Sequence, residues 1–197
     1  MIDSHCHLDH EPLFSNLNDI IVRSKEVGIT KLLTISTTLS SYNNVLKLID
    51  VDPIVYGSIG IHPHEVKNNK ITSDYLVNEF EKNSKIIGIG ETGLDYYYEN
   101  SNKEDQINSL LKHIEVAKIT NLPLIIHARD ADDDIIKILT KEYNKSPFTG
   151  VIHCFTASYK LAEAALSIGF YISFSGIITF KNADEIRNSC KKIPINR

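Results

Sequence analysis

The chain is 197 residues long, with 42% apolar and 23% charged residues and a net charge of −4. That length supports one well-buried domain spanning residues 1–197, and the composition is that of a soluble globular protein. The acidic balance excludes a global attraction to nucleic acid or to an acidic membrane. An anionic substrate therefore needs a local positive site, and bound metal is the obvious source. Three cysteines without CxxC spacing, Cys6, Cys154 and Cys190, argue against a disulfide framework and for a reducing compartment. No signal peptide opens the chain and no apolar run reaches membrane-spanning length, so a cytoplasmic location without a membrane partner is expected.

Strand-like and helix-like stretches alternate along the sequence. Residues 2–6 read as a first strand; Leu17, Ile20, Ile21 and Val27 then fall near helical spacing, and Gly28 stops them. KLLTIS at 31–36 is a second strand, and Val45, Leu46 and Ile49 mark a short helix. PIVYGSIG at 53–60 is a third strand leading into the loop IHPHE, followed by a helix near Ser73–Lys82. KIIGIG at 85–90 is a fourth strand with Glu91 at its end. A long aromatic connection, TGLDYYYEN, then precedes a helix from Lys103 to Thr120, with Ile107, Leu110, Ile114 and Ala117 on one face. PLIIHA at 123–128 is the fifth strand, and the acidic run 130–134 favours the next helix start, where carboxylates meet the positive end of the dipole. GVIHCF at 150–155, a helix at 160–168 closed by Gly169, FYISFSG at 170–176 and a helix at 182–190 complete the series.

Strands that are apolar on both faces and separated by helices are the pattern of a parallel sheet covered by helices. Two architectures fit: a doubly wound open sheet and a (β/α)8 barrel. No GxGxxG or Walker sequence follows an early strand, which weakens the first.

Metal-binding residue types recur at one kind of place. His5 and His7 stand two apart at the end of the first strand, where alternation gives them one face. Glu91 ends the fourth strand, His127 the fifth and His153 the sixth. In a parallel barrel these ends meet at one rim, where barrel enzymes keep their active sites. Five protein ligands are too many for one catalytic tetrahedral ion, which keeps about three plus water. They suit two divalent ions bridged by Glu91, the only carboxylate among them. Such a pair lowers the pKa of water toward neutrality and holds a phosphate or carbonyl oxygen, so the site reads as that of a hydrolase. The donor set accepts Mg, Mn or Zn.

The stretches DSHCHLD, GIHPHE, GIGETGLDYY, PLIIHARDA, GVIHCFTAS and YISFSGIITF, spread over nearly the whole chain, resemble the TatD family of metal-dependent deoxyribonucleases within the amidohydrolase-type barrels. The resemblance implies a (β/α)8 TIM barrel that cleaves DNA phosphodiesters with two divalent ions, as an exonuclease. It implies that His5, His7 and Glu91 hold one ion and Glu91, His127 and His153 the other. In the family the eighth strand ends in an ETD motif whose Asp is a further ligand. Seven βα units are read here and that motif would lie beyond Arg197. The barrel is therefore expected to be C-terminally incomplete, with an open seam that invites association with another chain. Two other readings stay open: an esterase or amidase on the same barrel, and a catalytically impaired metal-binding remnant.

Further residues have expected places. Arg129 suits a phosphate oxygen, or an ion pair with Asp130 or Asp132. By resemblance His62 contacts the scissile phosphate or assists proton transfer, and His64 belongs to the same substrate-binding loop. Asp95 orients a ligand. Tyr96, Tyr97 and Tyr98 stack on unpaired bases or pack back on the barrel. His113, off the apolar stripe of its helix, is expected to be solvated and His10 to be a loop residue. Cys6 and Cys154 are turned away from the metals by alternation and belong to the core.

Overall fold

The computed structural model describes residues 1–197. Seven strands and seven α-helices alternate: β1 (Ile2–Cys6), α1 (Leu17–Glu26), β2 (Lys31–Thr34), α2 (Leu39–Ile49), β3 (Val55–Ile59), α3 (Ser73–Lys82), β4 (Ile86–Asp95), α4 (Lys103–Thr120), β5 (Leu124–Arg129), α5 (Asp132–Lys145), β6 (Gly150–Ile152), α6 (Tyr159–Ser167), β7 (Tyr171–Ile172) and α7 (Asp184–Cys190). Every neighbouring pair of strands is parallel and the order across the sheet is β1 to β7 in sequence. A doubly wound sheet reverses its order at a switch point; this one does not, so it is of the barrel type. The sheet also curls. In a flat sheet the five steps from β1 to β6, ~4.8 Å each, would set their side chains about 24 Å apart. Instead the rings of His5 on β1 and His153 just after β6 stack with centroids 3.3 Å apart. β1 and β7 are the two edges of this arc, and the Ile172 N–H on β7 donates to the Arg197 carbonyl. No helix is long and apolar enough to cross a membrane.

Local chemistry starts the helices where the sequence pattern places them. Thr38 and Ser41 form a reciprocal capping box on α2, and Thr72, Asn102 and Ser158 each accept a backbone N–H at the start of α3, α4 and α6. α5 has no side-chain cap but carries Asp132, Asp133 and Asp134 in its first turn.

Three expectations are corrected. β4 does not stop at residue 90: it runs to Asp95, so Glu91 lies inside the strand and not at its end. Gly90 and Gly93 are places of close approach within it, with φ of +139° and +147°, where an added Cβ would lie 2.5 Å from the Ile125 carbonyl oxygen and 1.9 Å from that of His127. A register irregularity against β5 falls between Ile89 and Thr92, and the Glu91 N–H donates to the Ser36 carbonyl instead of to the neighbouring strand. Such irregularities re-aim a side chain. β6 and β7 are shorter than read, because the chain turns after Ile152, with Cys154 at φ +44°.

His113 is not solvated but fully buried. The covered face of α4 is wider than its apolar stripe and includes Gln106 and Ser109. The Ile61 N–H donates to His113 Nε2 at 3.1 Å, and Nδ1 donates to the Ser109 carbonyl at 2.7 Å. His113 therefore ties α4 to the loop that carries His62. Burial, opposed by the Ser109 hydrogen bond, pushes its pKa down to about 4. The unfolded chain, titrating near 6.5, takes up the proton first, so stability from this group is full above that pH and falls as pH drops toward 4. In the presence of chelator, urea unfolding is expected to lose on the order of 3 kcal/mol from this group over that range. His113→Gln, which still accepts from Ile61, should show a correspondingly shallower pH dependence; equal slopes would refute the assignment.

Candidate metal centre

β1, β4, β5 and β6 deliver their polar residues to one cluster at the C-terminal rim. Glu91, 4% exposed, lies at its middle. Its Oε2 is 3.3 Å from His5 Nε2 and its Oε1 is 3.2 Å from His127 Nδ1 and 3.7 Å from His62 Nε2. His7 stands edge-on to His5, with ring centroids 5.1 Å apart. Ligand atoms of His5, Glu91 and His153 fall within 4.8 Å of one another, as do those of His62, Glu91 and His127. His5, Glu91, His127 and His153 are thus brought together with His7 beside His5, although the ligand atoms of His7 group with those of Asp9 and His10. The grouping differs from the one the family resemblance implies: His153 stands beside His5 rather than beside His127.

The donor set fits a divalent cation. Both nitrogens of His5, Nδ1 of His7 and Nδ1 of His153 are buried without a hydrogen-bond partner. Each such atom costs ~1–3 kcal/mol unless something accepts its lone pair or proton, and several in one place are compensated together by a metal ion. Their protonation states agree with that role. Burial and the neighbouring His5 push His153 down to about 3, and burial takes His62 to about 4 against the pull of Glu91. Burial and His5 also lower His7. These imidazoles are neutral at pH 7. Burial works to raise the Glu91 pKa, but the His127 and His5 rings set against its two oxygens outweigh it and hold the carboxyl well below the usual range.

Two tautomers are fixed by the surroundings. Asp95 is fully buried; its Oδ2 accepts from His127 Nε2 at 2.9 Å and from His64 Nε2 at 2.8 Å, and its Oδ1 accepts the N–H groups of Tyr97 and Tyr98. Gln106 clamps the Asp95 backbone on both sides, accepting from its N–H and donating to its carbonyl. With Nε2–H committed to Asp95, the Nδ1 lone pair of His127 faces Glu91 and the cluster, which is how a carboxylate orients a metal-binding imidazole. Burial lowers the His127 pKa, but Glu91 and Asp95 outweigh it and hold it above the ordinary value. His62 has the opposite arrangement. Its Nδ1 accepts the His64 N–H, so its Nε2 carries the proton and donates it to His127 Nδ1 at 3.3 Å.

The remaining predicted residues divide. Arg129 pairs with neither Asp130 nor Asp132; its guanidinium lies 4.1 Å over the Tyr97 ring and 4.8 Å from that of Tyr98. Tyr97 and Tyr98 are exposed, while half-buried Tyr96 donates its hydroxyl to Asp134. His10 is exposed and stacks on His7 at 5.0 Å. Cys6 is half-buried, its thiol donating to the Leu33 carbonyl and pushed up to about 12 chiefly by burial. Cys154 is not turned into the core: past the end of β6 alternation no longer applies, and it lines the same cavity as His7, His62, Glu91, His127 and His153. Gln106 was missed, since a polar residue near a helix start carries no sequence signal for a buried clamp.

Asp95→Asn places an amide N–H where His127 and His64 now donate. Affinity for Mn or Zn, read by competition with a chelator, is expected to fall ~10–100-fold with the circular dichroism unchanged; unchanged affinity would separate Asp95 from the metal centre.

Comparison with known proteins agrees with this geometry. The family model described as TatD related DNase matches residues 2–197. The chain is 42% identical over 207 residues to the uncharacterized metal-dependent hydrolase BU355 of Buchnera aphidicola subsp. Acyrthosiphon pisum, covering all of this chain and 78% of that protein. It is 36% identical over 200 residues to the uncharacterized metal-dependent hydrolase YcfH of Escherichia coli K12, covering all of this chain and 74% of that one. The crystal structure of YjjV, a TatD homologue from Escherichia coli K12, superposes with a TM-score of 0.89 at 27% identity, over 98% of this chain and 75% of the other. A family match over almost the whole sequence, a shared barrel architecture and a buried imidazole–carboxylate cluster place this chain in the TatD-related DNase family, as a metal-dependent hydrolase.

Proposed function

We propose that the chain hydrolyses phosphodiester bonds in DNA with two divalent cations, Mg, Mn or Zn, held on either side of Glu91. The observation that carries this reading is that the two oxygens of one buried carboxylate face different imidazoles, Oε2 toward His5 and Oε1 toward His127. His7 and His153 complete the donor set beside His5. Cations held by these residues would lower the pKa of a water toward neutrality and offset the charge on a phosphate.

The chain's own residues supply the rest. His62, neutral at pH 7 with its proton on Nε2, donates toward a phosphate oxygen at the cluster. His64, held by Asp95, fixes that proton through its backbone N–H. Arg129 comes from the end of β5, two residues past His127. It rests on two tyrosine rings and keeps the N–H edge of its fork for the next phosphate along the strand. The chain has no global positive field, so nucleic-acid binding is concentrated at this rim.

Incubation with single- and double-stranded oligonucleotides in Mg, Mn or Zn is expected to release nucleotides. Chelator should abolish the reaction and Glu91→Gln should reduce it at least about 100-fold. Arg129→Ala is expected to raise KM about tenfold while changing kcat less. Turnover of carboxyl esters or amides, with DNA left intact under every metal, would overturn the phosphodiester reading in favour of the esterase or amidase alternative.

A further inference from the structure

A second cavity, of about 910 Å³, opens on the same rim beside the metal centre. Tyr96 and Tyr97 follow Asp95 at the end of β4, and Arg129 ends β5. The first turn of α5 and the cap of α6, Ser158, form the opposite side. Nothing in the metal chemistry uses this space.

Apart from apolar Ile177 and Ile186, its lining has two parts. One is a layered platform: the Arg129 guanidinium lies over Tyr97, 4.1 Å from the ring centroid, and Tyr97 is braced edge-on by Tyr98 at 4.7 Å. An arginine plane backed by an aromatic ring is a surface on which nucleobases stack. The other is an acceptor-rich wall. Asp132 accepts the Ser158 N–H through Oδ2, Asp134 accepts the Tyr96 hydroxyl through Oδ2, and Lys160 is paired with Asp133. These contacts hold the carboxylates in place, and the wall carries more negative than positive charge. A phosphate is repelled there, whereas a neutral flat ring with N–H groups on its edge is not.

Resting on the phosphodiester reading above, we propose that this cavity receives an unpaired nucleobase of the substrate, stacked on the Arg129–Tyr97 platform, while the adjoining phosphate goes to the metal centre. The guanidinium serves both groups at once, its face for the base and its N–H edge for the phosphate.

The test uses free nucleosides, which have no phosphate to engage the cations, so it reads the cavity whether or not the protein cleaves DNA. On the metal-loaded protein, saturation-transfer NMR is expected to show transfer to the base protons of deoxyadenosine and deoxycytidine. Tyr97 is exposed, so its substitution leaves folding intact. Tyr97→Ala should weaken nucleoside binding at least about fivefold, and Tyr97→Phe should retain it. Excess 2-deoxyribose 5-phosphate should not displace the nucleoside. Absence of transfer, equal binding by Tyr97→Ala, or displacement by the sugar phosphate would each overturn the proposal. Hydrolysis of DNA without nucleoside binding would remove the base site alone, and nucleoside binding without hydrolysis would remove the phosphodiester reading alone.

Discussion

A buried, ionised carboxylate is the hardest thing in this molecule to keep, and the rim is arranged around keeping one. Glu91 loses almost all of its hydration, a cost of several kcal/mol for an isolated ion, and recovers it only from the imidazoles facing its two oxygens. The sheet has to curl for β1 to reach it, the strand that carries it has to depart from regular register, and the flanking glycines let β4 lie flush on β5. In a barrel-type sheet these demands are compatible, because every strand ends on the same side.

Around that carboxylate the histidines differ in ways their shared chemistry hides. Two hydrogen bonds decide the difference. Asp95 holds the proton of His127 on the outer nitrogen and leaves a lone pair facing inward, whereas the His64 backbone does the reverse for His62. One ring therefore offers an acceptor to the centre and the other a donor. Two rings of one residue type are thus given opposite roles by tautomer.

Much of this was legible in the sequence. The alternation of apolar runs gave the order of elements and placed α3 and α4 at their observed bounds, since those signals are local. The convergence of His5, His7, Glu91, His127 and His153 followed from the rule that parallel strands share a rim. What could not be read depends on tertiary surroundings. Gly90 and Gly93 have the same letter whether they end a strand or let two backbones touch. His113 has a polar side chain and so falls outside any hydropathy stripe, although its two nitrogens are satisfied within the core. Cys154 escapes the alternation rule because the strand ends two residues before it. The pairing of His153 with His5 is a matter of curvature, which no spacing encodes.

The stacked rings of His5 and His153 have a meaning for how the protein is put together. They lie far apart in the sequence and on strands that are not neighbours, so the coordination sphere needs the whole arc from β1 to β6 in place. A cation has little to grip in a half-assembled chain and several ligands in the finished one. A cation bound there would act as a clasp across the arc, its binding energy favouring the completed topology over partly assembled ones.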